Sequence, residues 1–223
     1  MKIERLEIRS ANVAEQLKFY RDLLELKTIN YDGESFEMTV GYTQIKFSQY
    51  KGATPYHIAI HIPDRQEEEA LRWVKERIPV LKNNNEEIID FSGWDAKSVY
   101  FYDKDENIME FISRRRFNEA ATPIFSDKSL LGVAEVGLAT SDIKLKFDFL
   151  QKNCGLEVFD GNFEKFCAIG DDKGLLITIN KELKEWFPTK DKAYASPFSI
   201  WFSHGKEICA LKFEEDQLYD LNS

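Results

Sequence analysis

The sequence predicts an α+β protein of repeated β-α-β-β-β units, whose mixed sheets curl around a cleft with the helices outside. An alternating strand pattern, an amphipathic helix and three further short strand patterns occupy residues 3–48 and recur over 56–112. The same pattern begins a third time at 131–139. Recurrence at a period of about 50 residues indicates internal repeats, and paired repeats can share a cleft.

The first unit opens at residues 3–9, where apolar and polar side chains alternate as in a half-buried strand. Asn12 suits the N-cap of a helix predicted over 13–24, and Glu15, three positions later, completes a capping-box pattern. Strand patterns follow near 25–31, 34–40 and 42–48.

The second unit repeats this order. It consists of a strand over 56–62, a charged amphipathic helix over 65–77, and strands near 86–91, 97–102 and 107–112. Residues 114–129 then mix polar, small and proline residues without periodicity, which indicates a linker. We therefore predict a first domain over 1–113, this linker, and a second domain over 130–223.

The second domain is predicted to be truncated. Its first unit has a strand over 131–139, a helix near 143–153 capped by Ser141 or Asp142, and strands near 156–160, 163–169 and 174–180. A further strand over 197–203 opens a fourth unit. The roughly twenty residues that follow are too few for a helix and three more strands.

Composition excludes several classes of function. The formal net charge of −9 repels phosphate backbones, so no nucleic-acid partner is expected. No apolar stretch is long enough to span a bilayer, and the first residues lack the apolar core of a signal peptide. A cytoplasmic location is therefore expected. The three cysteines lie at wide spacings without a CxxC motif, which favours free buried thiols over disulfides or a zinc ribbon.

Three segments carry a family resemblance. They read ANVAEQLKFYRDLLELK, YFYDKDENIMEFI and AEVGLATSDIKLKFDFLQKNCGLEV. Together they resemble the vicinal-oxygen-chelate superfamily, which includes glyoxalases, bleomycin-resistance proteins and extradiol dioxygenases. The resemblance covers nearly the whole chain. It implies a cleft between paired units, where residues from the first and last strands of each unit bind a divalent metal.

The resemblance also implies which positions would supply the ligands. In the first strands of the four units these are Arg5, His57, Glu135 and Ser199. In the last strands of the first three units they are Lys46 or Gln44, Glu110, and Thr178 or Asn180. His57 and Glu110 are suitable metal ligands, whereas Arg5 stays protonated and a lysine is a poor ligand.

The individual residues leave alternatives open. His57 and His61 share one strand face, opposite an apolar face that should meet a helix. We predict His57 as a metal ligand, and His61 as a substrate contact or a structural histidine. Glu110 interrupts an apolar strand face, so it is a metal ligand, a general base, or the partner of Arg5 in a salt bridge.

Two other side chains have weaker signals. Tyr100 lies on a strand beside Glu110, where it either contacts substrate or packs within the sheet. Glu135 breaks the apolar run 131–139, but no histidine is near it in the sequence, so a local partner is the expectation.

Two functions remain open. One is a metal-dependent lyase, isomerase or dioxygenase that uses Ni, Zn, Mn or Fe with ligands His57 and Glu110. The other is a metal-free small-molecule-binding or resistance protein whose charge-balanced cleft includes Arg5 and Lys46. In both cases the partner is a small molecule. A homodimer is one possible partner state. A third alternative is that the truncated C-terminal half serves only as a packing or dimerisation module.

Overall fold

The computed structural model describes residues 1–117 and 120–222, so Asn118 and Glu119 of the predicted linker lie outside the described residues. Unit one comprises β1 Lys2–Ser10, α1 Val13–Lys18, β2 Thr28–Ile29, β3 Ser35–Val40 and β4 Thr43–Gln49. A π-helical turn, Phe19–Leu23, extends α1. Unit two comprises β5 His57–Ile62, α2 Glu67–Lys75, β6 Val80–Leu81, β7 Ile89–Phe91, β8 Ala96–Tyr102 and β9 Ile108–Arg114.

Unit three comprises β10 Gly132–Thr140, α3 Ile143–Cys154, β11 Val158–Gly161, β12 Phe166–Asp171 and β13 Gly174–Asn180. Unit four has three strands and, within the described residues, no helix: β14 Phe198–His204, β15 Glu207–Glu214 and β16 Gln217–Asp220. Short 3-10 turns occur at Ser92–Trp94, Arg115–Phe117 and Asp127–Ser129. The predicted α+β class, the repeated units and the shortened fourth unit are therefore confirmed.

The helix caps at Asn12 and Asp142 are those predicted from the sequence. The structure differs from the prediction where the backbone turns. The Asn12 side chain accepts a hydrogen bond from Glu15 N, and Asp142 caps α3 in the same way. The strand expected over 25–31 is reduced to the two residues of β2. Glu25 and Asn30 flank it with φ of 58° and 56°, a left-handed conformation that interrupts an extended strand.

The strands form two mixed sheets. Sheet 1 has the order β16-β15-β14-β1-β4-β3-β2, and sheet 2 has the order β11-β12-β13-β10-β5-β9-β8-β6, with β7 added on β8. The opening strands of two units lie side by side and antiparallel in each sheet, β1 with β14 and β5 with β10. Unit one therefore pairs with unit four, and unit two pairs with unit three. Each sheet joins strands from both sides of the predicted linker.

The hydrophobic core determines which face of sheet 2 remains for a site. Ile58, Ile60 and Ile62 of β5 pack with Trp73 and Val74 of α2 in one large core that also includes apolar side chains of sheet 1. Side chains alternate along a strand, so His57, Ala59 and His61 project from the opposite face. No helix within 1–117 and 120–222 is long and apolar enough to cross a membrane.

Candidate metal site

Three buried side chains converge at the centre of sheet 2. His57 lies on β5, Glu110 on β9 and Glu135 on β10, and β5 is the strand between the other two. The Nε2 atom of His57 lies 3.5 Å from Oε2 of Glu110 and 3.7 Å from Oε2 of Glu135. One potential ligand atom from each residue lies within 4.8 Å of the other two. All three side chains are at least nine-tenths buried, so the group forms one site.

Strand register explains this convergence. Ala59 is paired with Glu110 on β9 and with Glu135 on β10. Because His57 is two residues before Ala59, all three side chains project from the same sheet face. The pairing of β10 with β5 also shifts register between Val133 and Glu135, an irregularity of the kind that re-aims side chains. The small residue Ala59 therefore lies between the two glutamates in register.

In unit two, the last-strand residue Glu110 pairs with Ala59, two residues after the first-strand residue His57. The same rule identifies the corresponding last-strand position in unit three. Gly137, two residues after Glu135, pairs with Ile177 on β13. The equivalent of Glu110 is therefore Ile177, and the positions expected from the sequence, Thr178 and Asn180, are wrong. Thr178 is one residue out of phase, so it projects from the opposite face of the strand. The site thus has three potential protein ligands among the described residues.

A buried arginine balances part of the negative charge. Arg114, at the end of β9, donates a hydrogen bond from Nη2 to Oε1 of Glu135, and its side chain is fully buried. Its guanidinium carbon also lies 5.7 Å from the ring centre of Trp94 and 5.9 Å from that of Phe159. Glu135 therefore contacts Arg114 through one carboxylate oxygen and faces His57 with the other.

This arrangement shifts the pKa values of the three groups. Burial and the neighbouring charge of Glu135 raise the pKa of Glu110 to about 7. Burial alone would raise the pKa of Glu135, but Arg114 and His57 hold it below its usual value. Burial opposes protonation of His57, yet contact with Glu135 and Glu110 raises its pKa overall. Glu110 is therefore a carboxyl group able to gain or lose a proton near neutral pH.

The three side chains form the floor of a cavity of about 330 Å³. Its walls are mostly apolar and include six aromatic side chains, Phe91, Trp94, Tyr100, Phe166, Trp186 and Phe187. The Trp186 ring centre lies 5.2 Å from that of His57. Gly137 makes this approach possible, because a Cβ atom there would lie 2.7 Å from Cη2 of Trp186.

The segment over 181–197 holds two of these aromatic residues over the site. It contains Trp186 and Phe187 and connects β13 to β14. Tyr102 donates a hydrogen bond from its hydroxyl to Oδ2 of Asp191 at 2.5 Å, and Lys190 N donates to the carbonyl of Trp186 at 2.8 Å. This segment therefore closes one side of the cavity and is fixed to strand β8.

Solved structures resemble the fold of this chain. No family model matches the chain, and no curated protein matches it. A Bacillus subtilis protein named as a candidate dioxygenase superposes with a TM-score of 0.59 at 18% identity, covering 80% of this chain and 63% of that one. Glyoxalase I from Zea mays superposes with a TM-score of 0.52 at 15% identity, covering 79% and 66%. The chain has the vicinal-oxygen-chelate fold.

That likeness is one of fold, since both identities are below one fifth. The chain also spans less than two thirds of the length of either structure. Within the vicinal-oxygen-chelate fold, the two sheets of this chain differ in chemistry. Sheet 2 carries His57, Glu110 and Glu135, whereas the corresponding strands of sheet 1 carry Arg5 and Lys46.

Arg5 and Lys46 lie apart from the His57 cluster. Arg5 donates hydrogen bonds to Glu7, Gln44 and Glu37, all within sheet 1. Lys46 on β4 stands between Glu7 and Glu37 in register. The alternative in which Arg5 neutralises Glu110 is therefore wrong, because Glu110 lies beside His57.

His61 and Tyr100 lie nearer to the cluster. His61 is fully buried, stacks on Phe117 with ring centres 4.4 Å apart, and is not among the residues that line the cavity. Burial and the charge of Arg114 lower the pKa of His61 to about 3, so it is neutral. Tyr100 lines the cavity, and burial beside Glu110 and Glu135 raises its pKa well above the usual value, so its hydroxyl keeps its proton.

Two contributors were not recognised from the sequence, and the partner of a third was not. Glu135 does have a histidine neighbour, but it is His57 of another unit, so the expectation of a local partner alone is wrong. Arg114 stands at the start of the predicted linker, whereas its side chain is fully buried. Trp186 lies in a segment without strand or helix periodicity. Only the position of Glu135 in an opening strand signalled its role.

Proposed function

We propose that this protein binds a divalent metal through His57, Glu110 and Glu135 and acts on a small oxygen-containing substrate in the cavity above them. The observation that carries this proposal is the convergence of three buried potential ligands from three adjacent strands. One imidazole nitrogen and two carboxylate oxygens form a donor set that suits Ni, Zn, Mn or Fe. The vicinal-oxygen-chelate fold supports the same interpretation.

The electrostatics favour proton-transfer chemistry, as in a lyase or isomerase. A bound metal would supply Lewis-acid stabilisation of negative charge on substrate oxygens. In the metal-free cluster the pKa of Glu110 is raised to about 7, so its carboxylate can hold or release a proton near neutral pH before an ion binds. Tyr100 keeps its hydroxyl proton, and a hydrogen bond from that hydroxyl to Glu110 favours the ionised form of the carboxylate. The named glyoxalase I and dioxygenase structures make both isomerase-type and oxygenase-type reactions worth screening.

A metal-free binding or resistance protein is the second candidate, and one observation favours it. Arg114 already neutralises Glu135, and a protonated His57 can neutralise Glu110. The cluster is then charge-balanced without an ion. In this alternative, the same cavity would bind a small molecule without transforming it.

Metal content decides between the two. Tag-free protein, purified without chelators, would be incubated with each of the four divalent ions, desalted and analysed by elemental mass spectrometry. We expect close to one ion per chain, with loss in His57→Asn and in Glu135→Gln. His61→Asn is the matched control, because His61 is a buried histidine on the same face of the same strand but outside the cluster.

Two results would change the proposal. Absence of metal from the wild-type protein after every incubation would exclude metal-dependent chemistry and leave the binding function. Equal loss of metal in His61→Asn and His57→Asn would place the ion elsewhere or indicate misfolding, which circular dichroism would distinguish. A homodimer in the cytoplasm stays a prediction, and light scattering of the purified protein measures its oligomeric state directly.

A further inference from the structure

The walls of the cavity consist mainly of aromatic rings. His57 and Trp186 are tilted by 35°, with ring centres 5.2 Å apart. Phe187 meets Tyr100 and Phe91 edge to face, at 81° and 73°. Ring faces and edges bound the space directly above the floor, and such surfaces bind other flat rings by stacking and edge contacts.

Charge is distributed unevenly around the cavity. The floor holds two carboxylates, and the lining residues include one lysine, Lys184, which is exposed at the mouth. Lys184 Nζ lies 5.2 Å from the ring centre of Phe166. The exposed carboxylate of Asp160 is also at the mouth and accepts a hydrogen bond from Nε1 of Trp94 at 2.5 Å. The mouth therefore carries one cation and one carboxylate, and at the floor Arg114 stands beside one of the two carboxylates.

The volume of the cavity limits the size of the ligand. A cavity of about 330 Å³ is near the lower end of the range for small-molecule sites. It accommodates one or two fused rings with small substituents. A tripeptide conjugate would have to place its charged backbone outside the cavity, where the described residues of the lining supply one cation, Lys184.

We infer that the cavity selects a compact, flat, ring-bearing molecule held against Trp186 and Phe187, and that ring-bearing peptide conjugates, which exceed its volume, bind more weakly. This inference rests on the proposed function in one respect: the oxygen-bearing end of the ligand would face the three potential metal ligands at the floor. Recognition of the ring itself depends only on the aromatic walls. The two proposals can therefore fail independently.

Three probes of matched design test the inference by isothermal titration calorimetry. 2-Naphthol is flat and neutral at pH 7, 2-decalol has the same carbon skeleton without aromaticity, and S-benzylglutathione carries a ring on an anionic tripeptide. We expect saturable one-to-one binding of 2-naphthol. We expect binding at least about tenfold weaker for each of the other two, because one loses ring stacking and the other must leave its tripeptide outside the cavity.

Variants locate the bound ring. Trp186→Leu and Phe187→Leu should each weaken 2-naphthol binding about three- to tenfold, which corresponds to the loss of one ring contact. Trp201→Leu is the matched control, since Trp201 lies on β14 in sheet 1 and should leave binding unchanged. Phe187 is 38% exposed, so its replacement should preserve folding even if Trp186→Leu does not.

The outcomes are distinguishable. Equal affinity for 2-naphthol and 2-decalol, tighter binding of S-benzylglutathione, or unchanged affinity in both wall variants would overturn the inference. Elemental analysis of the same samples reports on the metal independently. Metal binding without 2-naphthol binding would refute the ligand class alone, whereas 2-naphthol binding without metal would refute the metal-dependent function alone.

Discussion

Arg114 provides the sharpest prediction about what stabilises the candidate site. Its side chain is fully buried and paired with Glu135, which is 4% exposed. Replacing it by methionine in Arg114→Met keeps an apolar stem between the rings of Trp94 and Phe159 but leaves the carboxylate without its main partner. Breaking a buried ion pair by removing one partner typically costs about 3–5 kcal/mol.

The local structure puts this variant at the lower end of that range. His57 lies 3.7 Å from Glu135 and can carry a compensating proton, so we expect a loss of about 3 kcal/mol in the free energy of unfolding. The double variant Arg114→Met with Glu135→Gln leaves no unpaired buried charge. It should lower the free energy of unfolding by about 1.5 kcal/mol or less. The two changes should therefore be strongly non-additive.

Urea unfolding at pH 7 with chelator present, followed by circular dichroism, measures these free energies. Arg115→Met is the control, because Arg115 pairs with Asp64 and Glu67 at a partly exposed position and should cost less. A loss below about 1 kcal/mol for Arg114→Met, or a double variant as unstable as the sum of its parts, would refute the reasoning.

Three other predictions follow from the same structure. Gly137→Ala should displace the Trp186 indole, shift its fluorescence and cost about 1–3 kcal/mol in urea unfolding, because the added Cβ would lie 2.7 Å from that ring. Burial opposes ionisation of Asp216, but hydrogen bonds from Lys181 and Thr140 lower its pKa below 3.8. Its ionised form therefore stabilises the fold above pH 3.8, and Asp216→Asn should cost about 1.5–3 kcal/mol at pH 7, a difference that disappears as the pH falls through the lower native pKa. The three cysteines are buried free thiols, so a thiol reagent such as 5,5′-dithiobis(2-nitrobenzoate) should label them only after unfolding, and rapid labelling of the native protein would contradict this.

Repeating patterns made the fold largely predictable. Alternation located β1, β5 and β10, and the caps at Asn12 and Asp142 located two helices. Errors occurred where single residues adopt left-handed conformations, as at Glu25 and Asn30, because alternation cannot reveal a backbone that turns within an apolar pattern.

The candidate site was predictable only in part. His57 and Glu110 belong to one unit, so the pattern within that unit identified both. Glu135 and Arg114 join them only because β5 pairs with β10 in a particular register. Nothing local in a sequence specifies which opening strands will be neighbours or how they align. The aromatic wall from the segment over 181–197 was missed for the same reason, since its position depends on tertiary contacts.

Crystals soaked with Mn²⁺ or Zn²⁺ and measured at an energy where the ion scatters anomalously would test the central claim most directly. The account predicts one anomalous peak within about 2.0–2.3 Å of Nε2 of His57 and of a carboxylate oxygen from each of Glu110 and Glu135. A peak elsewhere in the molecule, and none at this cluster, would contradict the metal-site assignment.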